Sequence, residues 1–101
     1  MMTHHVAIGI VGGVGPEAGC LLHQYVVEET HQQLHTTHDQ DHFESFHLSL
    51  PGLISDRSEY LLHHSHENPA EGVYQVLQLM EQLGSARHEM VVTGIPCNTF
   101  Q

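Results

Sequence analysis

Val6-Ala-Ile-Gly-Ile-Val11 carries no polar side chain, and the five residues after it, Gly12-Gly-Val-Gly-Pro16, include three glycines and a proline. An unbroken apolar run is what a strand covered on both faces shows, since neither face is left for water. The glycines turn the chain tightly. Pro16 suits the first turn of a helix, where its missing N–H costs nothing. A doubly covered strand that passes through a turn straight into a helix points to an α/β fold, with helices layered on a parallel sheet.

The rest of the chain fits that frame. From Glu17 to about Leu34 the pattern is helical, with Ala18, Leu21, Leu22, Tyr25 and Val26 on one stripe and Glu28 and Glu29 off it. His35 to His42 is polar and reads as a loop. Phe46, Leu48 and Leu50 alternate within Phe43–Leu50, a strand signal that Pro51-Gly52 ends. Leu53 to His66 reads as a long loop with one helical turn around Glu59–His63. Asn68-Pro69-Ala70-Glu71 has the form of a helix start: a capping side chain, a proline at the first position and a carboxylate in the first turn. Val73, Val76, Leu77, Met80 and Leu83 give this helix its apolar stripe, and Gly84 is placed to end it. Met90-Val-Val-Thr-Gly-Ile95 is the third strand. The order β-α-β-α-β implies right-handed crossovers and a three-stranded parallel sheet of order 2-1-3 with flanking helices, a partial flavodoxin-like domain.

At 101 residues the chain makes one α/β domain and no more. Its charge narrows the partners. Twelve Asp and Glu face two cations, Arg57 and Arg87, for a formal charge of -10. That surface repels nucleic-acid phosphates and anionic lipid, so neither nucleic acid nor a membrane is expected as a partner. The Val6–Val14 stretch is too short to span a bilayer and has no basic flank, so it is not read as a signal peptide, and a cytoplasmic protein is expected. Cys20 and Cys97 read as unrelated thiols in that compartment.

In such a sheet ligands sit beyond the carboxyl ends of the strands, at the switch point. Gly12–Pro16, the Asp56-Arg57 loop and Cys97-Asn98-Thr99 all fall there. Gly13-Val-Gly15-Pro-Glu-Ala18 matches the spacing of a dinucleotide turn. Glu17 opposes that reading, because it sets a negative charge on the first helical turn, where a pyrophosphate would lie. So does the end of the second strand, where Ser49 and Leu50 stand instead of a ribose-binding acid. No cofactor is expected. Cys97 is the sharper signal: a thiol at the mouth of the site, with backbone N–H groups, Asn98 and Thr99 at hand to stabilise a thiolate. Cys20, close to the stripe of the first helix, is expected in the core. Arg57 is the cation placed to take a carboxylate in bidentate fashion. Arg87 falls at the opposite end of the sheet, on the surface. The histidines at 4–5, at 35, 38 and 42, and at 63, 64 and 66 are dense but have no structural-zinc spacing, so no metal site is expected.

Ile8-Gly-Ile-Val-Gly-Gly-Val-Gly-Pro16, Asp39-Gln-Asp-His42, Ser55-Asp-Arg-Ser58 and Pro96-Cys-Asn-Thr99 resemble, in order and spacing, the aspartate/glutamate racemase family, over Val6 to Thr99. The resemblance implies an isomerase that racemises amino acids without pyridoxal phosphate or metal, using one cysteine as a base and another as an acid on opposite faces of the α-carbon. Cys97 aligns with the first of these. Asn98 and Thr99 would bind the α-carboxylate, Arg57 the side-chain carboxylate, and the backbone around Gly13 and Val14 would line the pocket. Phe100-Gln101 replaces the family's Ala-His, Val14 stands where methionine is common, and Gly19 where threonine is common. The family has a second, similar domain that carries the other cysteine, so the resemblance is to an amino-terminal half. It implies either an enzyme completed by a carboxyl-terminal half or a homo-oligomer, or an inactive half-domain that only binds small acids or associates with a partner.

Overall fold

The computed structural model describes residues 5–54 and 68–97. The elements are β1 (Val6–Gly12), α1 (Pro16–Leu34), β2 (Ser45–Ser49), α2 (Pro69–Arg87) and β3 (Met90–Gly94). Short 3₁₀ turns occupy Asp39–Asp41 and Pro51–Leu53. The three strands form one parallel sheet of order β2-β1-β3. Its register pairs Ile8 with Ser45 and Gly12 with Ser49 on one side, and Val6 with Met90 and Ile10 with Gly94 on the other.

β1 is central, and its sequence explains why: Ala7, Ile10 and Val11 are fully buried. Strand alternation sends Val11 to the α2 face, where Phe46 and Leu48 of β2 and Leu50 just after it join it. Val76 and Met80 of α2 meet Val11 and Val14 in one cluster, and Val73, Leu77, Val91 and Ile54 pack around it. Burying a side chain such as Met80, 1% exposed, stabilises the fold by about 1.5–3 kcal/mol. α2 begins as the sequence implies: Asn68 caps it, its side-chain oxygen accepting from the Ala70 N–H at 2.9 Å.

The opposite face of the sheet belongs to α1, which lies over β1 and β2. Leu22 of α1 reaches over Gly94 at the end of β3, but Met90 and Val92 on the same face are 69% and 56% exposed. Three expectations need correction. Leu21 and Tyr25 lie on the exposed side of α1, and the face against the sheet is made by Ala18, Gly19, Leu22, His23, Val26 and Thr30 instead. Cys20 is exposed, not core. Only glycine fits where α1 meets the sheet at Gly19: a Cβ there would stand 2.8 Å from His47 Nε2 and 3.1 Å from the Gly12 Cα. Gly84 also differs from expectation. It does not end α2, which runs on to Arg87 and closes at His88 in the left-handed region with φ 55°. Inside the helix Gly84 permits close approach of β3, since a Cβ would meet Val91 Cγ2 at 2.6 Å.

Candidate functional site at the carboxyl ends of the strands

Parallel strands deliver their carboxyl ends to one edge, and the central strand sets its middle. β1 ends at Gly12, and the chain leaves through Gly13 and Gly15, both in the left-handed region at φ 81° and 83°. Glycine holds that conformation without strain. Gly13 also has no room for a side chain: a Cβ would lie 2.9 Å from the Pro51 N and 3.1 Å from the Leu50 N. The turn after β1 is thereby pressed against the backbone that leaves β2. Gly15 then caps α1 without a side-chain bond, and Pro16 opens it.

β3 ends at Gly94, and Cys97 follows three residues later, half-buried and packed against the core cluster that contains Val14. Val14 is 8% exposed, so its side chain fills the core and only its backbone is left to face a ligand. Of the site residues read from the sequence, Gly13, Val14 and Cys97 thus gather at the carboxyl ends of β1 and β3. Arg57, Asn98 and Thr99 lie outside the described residues, as does the helical turn expected around Glu59–His63. Neither cysteine is in a disulfide. Cys20, on the exposed side of α1, is not part of this group.

The Asp39-Gln-Asp-His42 segment has a visible structural task. Asp41 Oδ2 accepts from the Thr37 N–H at 3.1 Å and the His38 N–H at 3.2 Å, and these backbone bonds hold its carboxyl below the usual range. The buried Thr36 hydroxyl bridges His31 Nδ1 at 2.6 Å and His42 Nε2 at 3.3 Å, tying the loop to α1. No group of three or more metal-ligating side chains occurs among the described residues. No described helix is long and apolar enough to cross a membrane.

A histidine pair under the glycine turn is absent from the sequence reading. His47 points from β2 to the α1 face, where its Nδ1 meets the Nδ1 of His23 at 3.3 Å. Its ring fills a notch made by two missing side chains, since a Cβ at Gly12 or Gly19 would lie 2.7 or 2.8 Å from His47 Nε2. Burial, and then the nearby His23, push the His47 pKa below the ordinary histidine value. The signal available in the sequence was alternation: Phe46 and Leu48 face α2, so His47 must face α1.

Comparison of the chain with protein-family models, with curated proteins and with solved structures returned no match. The fold and the placement of its residues are therefore what bears on function.

Proposed function

We propose that this chain supplies an acid–base cysteine, Cys97, to a cofactor-independent racemase acting on aspartate or glutamate in the cytoplasm. The supporting observation is the gathering of Cys97 and the Gly13–Val14 backbone at the carboxyl ends of adjacent strands. That is the edge where parallel α/β sheets hold small ligands. The resemblance of the motifs around Gly13, Asp39, Arg57 and Cys97 supplies the reaction class.

In that reaction the Cys97 thiolate takes the α-proton. An S–H bond forms, and the electron pair of the C–H bond stays on the α-carbon, delocalised into the α-carboxylate. A second thiol on the opposite face returns a proton to carbon and becomes the thiolate. Cys20 is a poor second thiol because it sits on the exposed side of α1. The second thiol then comes from a carboxyl-terminal half or from a second copy of the chain. Asn98 and Thr99 would hold the α-carboxylate, and Arg57 the side-chain carboxylate through paired N–H donors.

A second reading has its own observation. Met90 and Val92 are exposed on the open face of β3, and Ile95 just beyond it is 46% exposed. An uncovered apolar edge suits a half-domain that binds small acids or associates with a partner without turnover. Incubation with L-aspartate or L-glutamate in deuterated water separates the two. Exchange of the α-proton, with the other enantiomer appearing by chiral chromatography and both lost in Cys97→Ser, supports the racemase. No exchange by the chain, alone or with a supplied carboxyl-terminal half, overturns it.

A further inference from the structure

β3 is an edge strand without the usual guards against pairing. Among the described residues it neighbours only β1, and Met90–Gly94 holds no charged residue and no proline. The Met90 N–H donates to the His5 carbonyl at 3.1 Å, which fixes the direction of the rest. Successive residues of a strand turn their backbone groups to opposite sides, so Met90, Val92 and Gly94 address β1. Val91 and Thr93 present their N–H and C=O to the open edge. β2, the other edge, is polar on its α1 face, where Ser45, His47 and Ser49 stand and His23 of α1 meets His47.

The side chains of the β3 edge are complementary to themselves. On the α1 face Met90 and Val92 are exposed, whereas Gly94 has no side chain and Leu22 lies over it. A second β3 laid antiparallel, with a two-fold axis at Val92, sets Val92 against Val92. Each Met90 then falls on Gly94 and Leu22 of the other copy, so the most exposed side chain of the strand meets the position that has none. Val91 of each copy faces Thr93 of the other as a pair that exchanges both backbone hydrogen bonds.

We propose that the chain forms a two-fold dimer by antiparallel pairing of β3 with β3 of a second copy, joining the two three-stranded sheets into one. Charge favours this edge. With -10 on each copy most surfaces repel their like, and this strand brings no charge to the contact. Glu81 and Glu89 border the edge on the α2 side, so the apolar α1 side carries the contact and the acids limit its strength. Met90, Val92 and Tyr25, the last on the turn of α1 after Leu22, expose on the order of 400 Å², within the range of a single chain's largest apolar patch. A standard interface buries about 800 Å² per partner, so the dimer is a weak one, with a dissociation constant in the micromolar range. Because the paired strands run in opposite directions, the two Cys97 side chains lie at opposite ends of the joined sheet. A copy paired this way does not supply the second thiol, and the dimer stands apart from turnover.

Sedimentation equilibrium of the full chain tests it, in about 0.5 M sodium chloride to screen the acids. The expected result is a monomer–dimer equilibrium that stops at two copies, because a two-fold contact closes on itself. Cys20→Ser removes the exposed thiol and is the background for two further variants. Val92→Cys sets two thiols across the axis with Cα atoms about 4.5 Å apart, within disulfide range, so mild oxidation should give a covalent dimer. Met90→Cys is at the more exposed position, but its twin lies about 14 Å away along the sheet, so it should cross-link about tenfold more slowly or less. A native chain that stays monomeric up to about 1 mM, or that assembles beyond two copies, overturns the proposal. So does cross-linking through Met90→Cys as fast as through Val92→Cys. None of these outcomes touches the racemase reading, which α-proton exchange tests separately.

Discussion

His23 of α1 and His47 of β2 face each other through their Nδ1 atoms at 3.3 Å, with ring planes 77° apart. Two facing ring nitrogens can share one proton but cannot both carry one, because two N–H groups would then point at each other. His47 Nε2 is buried without a partner among the described residues, so a doubly protonated His47 would leave an N–H unsatisfied. Helix and sheet are thus joined by a contact that disfavours a doubly protonated His47.

The pH dependence follows from the direction of that shift. The His47 pKa is lowered in the folded state, so the unfolded chain binds the proton more readily. Its contribution to stability is complete above the unfolded histidine value of about 6.5 and is lost as pH falls below it. Thermal unfolding should therefore show a midpoint that drops between about pH 7.5 and pH 5.5. His47→Leu, which cannot titrate, should flatten that drop relative to the native chain. An equal drop in the variant would assign the acid sensitivity to other histidines.

Gly19→Ala tests the notch directly. In an ordinary helix interior this exchange would stabilise by up to about 1 kcal/mol. Here the new methyl would lie 2.8 Å from His47 Nε2 and 3.1 Å from the Gly12 Cα, so destabilisation of about 1–3 kcal/mol is expected. Adding His47→Ser should recover part of the loss, because it removes the ring the methyl strikes. Urea midpoints of the native protein, both singles and the double would show this as non-additivity. Additive losses would mean that the ring is not what excludes the methyl.

Much of this architecture was legible in the sequence, and the reasons for the misses are local. The apolar run of β1, the alternation of Phe46, Leu48 and Leu50, and the Asn68 cap each encode their conformation within a few residues. Crossover handedness and the flavodoxin-like pattern together gave the strand order. The rotation of α1 did not follow, because helical periodicity ranks Leu21 and Tyr25 above Gly19 and His23 as core residues. In the structure the His47 ring sits against Gly12 and Gly19, a contact across 28 residues of sequence from Gly19 that periodicity does not register. Gly84 misled for a related reason: a glycine near a helix end signals a stop, but the same residue also serves close strand approach. The cluster around Cys97 was legible from topology, since any residue just past β3 must emerge beside the end of β1.

The open face of β3 predicts self-association. Val92 is 56% exposed on the edge strand, and flat apolar edges template pairing with other chains. Val92→Lys should reduce concentration-dependent light scattering while shifting the thermal midpoint little, since few contacts are lost at an exposed site. Scattering that is unchanged by the lysine would place association on another surface, such as the exposed Leu21 and Tyr25 of α1.

The two thiols should differ in access and in consequence. Cys20 is exposed, whereas Cys97 is half-buried against the cluster of Val11, Val14, Val76 and Met80. A maleimide in modest excess should label Cys20 first, and mass spectrometry of the digested chain would give the order. Cys20→Ser should leave stability within about 0.5 kcal/mol of the native value, as at other exposed positions. Cys97→Ser changes a half-buried side chain packed against that cluster and should cost more stability than Cys20→Ser. Under the racemase reading it also removes α-proton exchange, which Cys20→Ser would leave intact in any assembly that turns over. Because Cys97→Ser affects both folding and chemistry, exchange must be measured where unfolding curves show the variant folded. Faster labelling of Cys97 than of Cys20 would mean that thiolate character outweighs its burial, and exchange that survives Cys97→Ser in the folded variant would remove this thiol from the chemistry.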